Sequence, residues 1–350
     1  MHKGVVYALL AAATFGASTP FSKMLVGQIA PVTLAGLLYL GSGLGLLVWF
    51  VIRAVSARSA QDASARLTRQ DLPWLGGAII FGGIAGPVLL MVGLTLTPAS
   101  SASLLLNMEG VLTSLLAWFV FRENFDRRIF LGMVLIVAGG VVLSWGERPE
   151  LGVPWGAIAI VAACLCWAID NNLTRKISAS DAVQIAGIKG LVAGAVNLSI
   201  AWVLALPMPA LPSATMAAVV GFCGYGLSLV LFVLALRNLG TARTGAYFSA
   251  APFVGAAISL AMLGEAPGGA FWLASALMGA GIWLHLTEKH DHLHTHEAMA
   301  HSHRHVHDEH HRHEHDFAWD GTEPHAHPHR HAPMTHAHSH YPDIHHQHKH

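Results

Sequence analysis

Ala99 to Phe121 reads ASSASLLLNMEGVLTSLLAWFVF, 23 residues with one ionisable side chain, Glu109, close to the middle. At about 1.5 Å rise per residue the stretch covers roughly 35 Å, enough to cross a hydrocarbon core of about 30 Å with some tilt. It therefore predicts a membrane-spanning helix with a carboxylate near the bilayer midplane. A charge there costs about 3 kcal/mol on insertion scales, so it must face protein or water and find a partner.

Outward from this stretch, the composition is that of an integral membrane protein. Hydrophobic residues make up 53% of the 350 and charged residues only 11%, against about 25% charged in soluble domains. Hydropathy predicts ten spans: 5–26, 32–52, 73–94, 99–121, 129–146, 155–174, 183–205, 214–236, 242–263 and 267–286. The apolar run after Lys3 is expected to stay on as the first helix rather than leave as a signal, because 155–176 supplies a matching helix in the second half. Pro20, Pro87 and Pro252 each remove a backbone donor within a span, which in membranes marks a kink or a cavity wall, and they are the expected hinges.

The connections alternate in charge. Those after the even spans carry Arg53, Arg58, Arg66, Arg69, Arg122, Arg127, Arg128, Arg175, Lys176, Arg237 and Arg243, and those after the odd spans carry only Arg148. This bias predicts both termini in the cytoplasm.

Leu94–Glu123 aligns without a gap onto Leu236–Glu265, each an apolar helix closed by FRE or LGE. Five spans lie in each half, and an odd number inverts the second copy. The expected organisation is an all-α polytopic membrane protein of ten transmembrane helices. It divides into two inverted five-helix repeats, 1–146 and 147–287, and a disordered histidine-rich cytoplasmic tail, 288–350. Such repeats place substrate sites near the midplane, beside broken helices. In this alignment Glu109 matches Ala251, and Gly110 matches Pro252.

This layout resembles the EamA family of the drug/metabolite transporter superfamily over roughly Val5 to Leu286. The resemblance rests on Ala13, Phe15 and Gly16 with Trp167 in the other half, on the basic helix ends at Lys23, Arg175 and Lys176, and on Pro252 with Glu265. It implies secondary transport, commonly export, of small molecules across the inner membrane. The chain departs from the family pattern where Glu109-Gly110 replaces the proline of the first half.

The polar residues inside the spans are Glu109, Asn107, Asp170, Asn171, Asn172, Lys189 and Asn197. Counted from the cytoplasmic ends, Asp170 is about 8 Å deep, Lys189 about 10 Å and Glu109 about 18 Å. Three roles are open to them. Asp170 or Glu109 can form a structural ion pair with Lys189. Glu109 can be a proton-coupling carboxylate. Glu109 and Asp170, with the amides of Asn107, Asn171 and Asn172, can also bind a cation through hard oxygen ligands. Lys23 is expected to snorkel to the interface. Cys164, Cys166 and Cys223 read as small packing residues, since an odd count inside apolar spans gives no disulfide framework.

Of 25 histidines, 23 lie between His290 and His350. His290, His292, His294, His296, His301, His303, His305, His307, His310, His311, His313 and His315 head that run, interleaved with Asp, Glu and Arg. Neutral imidazole is the commonest metal ligand, so the tail is expected to bind nickel, cobalt, zinc or copper. No cofactor is required by the sequence. His296-Glu297-Ala298-Met299-Ala300-His301 misses the zinc-protease spacing by one residue, so no enzyme is expected. The implied partners are the lipid bilayer and a small-molecule or metal-ion substrate, with no nucleic acid. The leading expectation is a secondary exporter of nickel or cobalt collected by the tail. The alternatives are an amino-acid or small-metabolite exporter with a metal-buffering tail, and a non-transporting metal store or sensor.

Overall fold

The structure, a computed structural model, describes residues 3–55, 67–121, 127–145, 154–177, 180–239, 241–286 and four short tail segments. The body is helical. In chain order it comprises α1 (Lys3–Val26), α2 (Pro31–Val55), α3 (Leu72–Ala78), α4 (Gly86–Leu96), α5 (Ala99–Leu105), α6 (Met108–Phe121) and α7 (Arg127–Trp145). After these come α8 (Trp155–Ile177), α9 (Ala182–Val203), α10 (Leu211–Gly221), α11 (Ser228–Leu239), α12 (Thr241–Phe248), α13 (Ala251–Leu263) and α14 (Gly269–Leu286). Among the described residues, six stretches are long and apolar enough to cross a membrane: 3–26, 31–52, 69–96, 155–174, 182–203 and 211–235. Shorter apolar helices run over 130–144, 251–263 and 269–284.

Packing here cannot come from hiding apolar side chains from water, because lipid is as apolar as leucine; small residues that let backbones approach do the work instead. Accordingly Val48, Ile52, Leu131, Trp202 and Trp283 are exposed, as they must be to meet lipid. The buried residues of α1 include Ala8, Ala11, Ala12, Gly16, Thr19 and Ser22, most of them small and spaced three or four apart. α1 crosses α13 where a Cβ on Gly255 would stand 2.7 Å from Gly16 O, and one on Gly16 would collide with the Ala251 carbonyl. α2 lies along α9 with equal intimacy, since a Cβ on Gly190 would be 2.6 Å from Gly43 N.

Two expected single helices are interrupted. The 99–121 span is not continuous: α5 ends and α6 begins across a turn at Leu106–Asn107. The cause is local. Asn107 Nδ2 donates to Leu104 O at 2.9 Å, so an amide side chain competes for a helical carbonyl. The backbone there tightens to three-residue bonds, Leu106 N to Ser103 O and Asn107 N to Leu104 O. Glu109 thus stands in the first turn of α6 rather than mid-helix. The 242–263 span breaks likewise, between α12 and α13 at 249–250, and Pro252 stands at the start of α13.

Two other spans stay continuous but change register. Ile79–Ala85 and Phe222–Leu227 are π-helical, the wide form that inserts a residue into a helix and is frequent at functional sites. Pro87 follows the first of these, whereas Pro20 lies within an uninterrupted α1.

The sequence expects disorder over 288–350. The described backbone there is confined to four seven-residue strands: β1 (His290–His296), β2 (Met299–His305), β3 (His325–His331) and β4 (Met334–His340), paired antiparallel as β1 with β4 and β2 with β3. The side chains of all the tail histidines lie outside the described residues, and so do His307, His310, His311, His313 and His315 entirely. Arg58, Arg66, Arg122, Glu123 and Arg148 lie outside them as well.

Candidate functional site

The break after α5 and the first π segment meet the same helix, α8. α8 places Trp167 and Asn171 one turn apart on one face, with Asp170 beside them. From the break, Glu109 Oε1 accepts from Asn171 Nδ2 at 2.7 Å. Beneath it, the buried Cys164 thiol lies 3.8 Å from Leu105 O and 4.0 Å from Leu106 O, weak donation to carbonyls at the interruption. The cysteine packs as expected, and its position under the break adds a polar contact.

Asp170 and Lys189 are paired, the ammonium of α9 donating to Asp170 Oδ2. Thr174 Oγ1 donates to the other carboxylate oxygen, Oδ1, at 2.9 Å. Both members are buried, at 5% and 4% exposure. The pair that the sequence left open is therefore Asp170 with Lys189, and Glu109 has a neutral amide instead.

The remaining amides of the expected cation site turn elsewhere. Asn107 bonds Leu104 O and approaches Met278 Sδ at 3.7 Å. Asn172 Nδ2 donates to Ala168 O, one turn back on its own helix. Of the amides suggested by sequence, only Asn171 reaches Glu109 in these contacts, and it does so through its nitrogen. Among the described residues no group of three or more His, Cys, Asp and Glu could hold a metal ion.

The π segment explains three further side chains. Pro87 has no N–H to give Gly83 in an α register or Gly82 in a π register. Gly83 O accepts from Asn197 Nδ2 at 3.1 Å. Gly82 O accepts from Tyr39 OH at 2.6 Å and from Trp167 Nε1 at 3.1 Å. Three side chains from α2, α8 and α9 thus donate to the two carbonyls beside Pro87.

Around the same level lies a cluster of rings that hydropathy did not single out. Phe15 meets Trp167 edge to face at 6.0 Å, Tyr225 at 6.0 Å and Phe248 at 5.5 Å, and Tyr39 meets Tyr225 at 5.3 Å. These rings come from α1, α2, α8, α12 and the second π segment. The Tyr225 hydroxyl is buried, with the hydroxyls of Ser18 and Ser22 beside it.

At the bundle end where α1 finishes, Lys23 Nζ donates to Leu94 O at 2.5 Å and to Thr97 O at 2.8 Å. It caps carbonyls at the end of α4 rather than reaching freely for the interface. Glu265 accepts from Ala99 N at 2.8 Å and Ser100 N at 3.0 Å, the first N–H groups of α5. The sequence has Lys23 snorkelling and Glu265 closing the repeat alignment, and neither reading foresees these helix-end contacts.

The model of the EamA-like transporter family matches residues 2–145 and again 154–287. A relative in Methanothermobacter thermautotrophicus, described as an uncharacterized transporter, is 30% identical over 72% of this chain and 77% of its own. The uncharacterized inner membrane transporter YedA of Escherichia coli is 24% identical over 66% of this chain and 74% of that one. A shorter similarity, 39% over 24% of this chain and 71% of the relative, is to a probable 4-amino-4-deoxy-L-arabinose-phosphoundecaprenol flippase subunit, ArnE, of Pseudomonas paraeruginosa. Among solved structures, a crystal structure of a protein covers 80% of this chain and 95% of its own with a TM-score of 0.59 at 19% identity, a likeness of fold.

Proposed function

We propose, from the premise that this chain belongs to the EamA-like transporter family, that it is an inner-membrane secondary exporter working by alternating access, with Glu109 as its coupling carboxylate. The observation that carries this reading is the contrast between two acids inside the spans, one buried and one half-buried. Asp170 is neutralised by Lys189 and held by Thr174, whereas Glu109 stands at a helix break with an uncharged amide as its hydrogen-bond partner. A carboxylate of the second kind can take up and release a cation or proton without first breaking an ion pair, and its partial exposure leaves the charged form within reach of water or a cation.

The halves 1–146 and 147–287 are read as inverted repeats with both termini cytoplasmic. Support comes from paired peculiarities: helix breaks at 106–107 and 249–250, π segments at 79–85 and 222–227, and two matches to one family model. Pro87 and Pro252 adjoin those irregularities and are the hinges we favour over Pro20.

For the cargo we propose nickel or cobalt, gathered from the cytoplasm by the 23 tail histidines. That support is compositional and belongs to the tail. The second reading is a small organic molecule with a metal-buffering tail, favoured by the ring cluster around Phe15. Metal content and tolerance of cells carrying the full chain, Glu109→Gln, or a chain ending at Lys289 separate these readings. The metal exporter predicts lower cell nickel and cobalt with the full chain and loss of that effect with Glu109→Gln. Unchanged metal with the full chain sinks the metal cargo. A store or sensor predicts that Glu109→Gln is silent while truncation is not.

A further inference from the structure

The turn Thr97–Pro98–Ala99 joins α4 to α5 at the bundle end where α1 finishes, and opposite charges grip it from either side. Lys23 of α1 takes the carbonyls Leu94 O and Thr97 O. Glu265, two residues past α13, takes the N–H groups of Ala99 and Ser100. A cation on terminal carbonyls and an anion on initial N–H groups each oppose the partial charge of the helix end they meet. The two side chains also attract each other across the turn.

The two grips differ in what they join. Lys23, Leu94 and Ala99 lie in the first half of the chain, so the lysine fixes the turn to its own half. Glu265 lies in the second half, so its carboxylate ties the halves together. It does so where α5 packs on α13 and where Ser103 Oγ would stand 2.8 Å from a Cβ on Gly255. In the alternating-access reading the halves must part at this end to admit the outer solution. α5 cannot leave α13 there while both of its first N–H groups are bound to Glu265.

We propose that Glu265, positioned opposite Lys23, is an outer latch: its carboxylate on the N-terminus of α5 holds the extracytoplasmic side shut and is released each time that side opens. The inference rests on alternating access and needs no knowledge of the cargo. It assigns Glu265 a gating role, distinct from merely finishing a helix.

The test measures accessibility from each side. With Cys164, Cys166 and Cys223 replaced by serine, one reporter is Ser103→Cys, on α5 and 1% exposed, and the other is Leu75→Cys, at the opposite end of α3–α4 and 2% exposed. Right-side-out and inverted vesicles are treated with a membrane-impermeant maleimide. Adding Glu265→Ala is expected to raise Ser103→Cys labelling from outside about tenfold, while Leu75→Cys labelling from inside stays within twofold or falls. Glu265→Gln keeps the side chain's size and one acceptor oxygen, and should give an intermediate rate; it also serves if the alanine variant does not accumulate. Unchanged outer labelling in both variants overturns the latch. A rise at both reporters overturns it too, since that is general loosening. Nickel, cobalt and organic cargo are absent throughout, so failure of the cargo reading and failure of the latch are separate results.

Discussion

Asp170 and Lys189 are buried together, so replacing either alone strands the other's charge. Asp170→Leu is expected to cost about 3 kcal/mol or more, read as a lower thermal midpoint of the detergent-purified protein. Asp170→Leu with Lys189→Met should recover most of it, and a double variant no better than the single contradicts the pairing. Glu109→Gln keeps shape and a hydrogen-bonding oxygen beside Asn171, so its midpoint should match the parent while transport is lost. These charges were legible because depth follows from counting along a span: Asp170 and Lys189 fall at one level. The amides were not. Asn107 and Asn172 have backbone carbonyls three and four residues back within reach, and a local bond of that kind wins over a distant carboxylate without changing the sequence pattern.

The irregular helices show the same limit one level up. Pro87 was readable as an interruption, but the π register around it depends on Tyr39, Trp167 and Asn197, donors on three other helices. Their weights should differ. Tyr39→Phe leaves Gly82 O with Trp167 and should cost about 1 kcal/mol, whereas Asn197→Leu leaves Gly83 O without that donor and should cost about 1–3 kcal/mol. Thermal midpoints rank the two, and a larger loss for Tyr39→Phe would refute this account. The break after α5 carries no proline, so the 99–121 run reads as one span by apolarity alone. Asn107 two residues before Glu109 was the local signal, and its weight appears only once its side chain is seen bonded to Leu104 O.

At the scale of the whole molecule, hydropathy captured the helical membrane body and its separation from a polar tail, since lipid imposes length and apolarity on every crossing segment. A chain ending at Lys289 should insert and melt as the full chain does while binding less nickel in equilibrium dialysis. A depressed midpoint would mean the tail braces the body. What hydropathy could not supply is which helices touch, because glycine spacing is common to many pairs. The seam between α2 and α9 is one such pair, with backbone against backbone at Gly43, Gly190 and Gly194. It leaves no clearance for sliding at those glycines, so in the proposed alternating-access cycle it is the expected fulcrum, about which the halves would roll without travelling along it. Spin labels at Leu44 and Val192, both on exposed positions of that seam, should therefore keep a fixed separation, while labels across α5 and α13 swing.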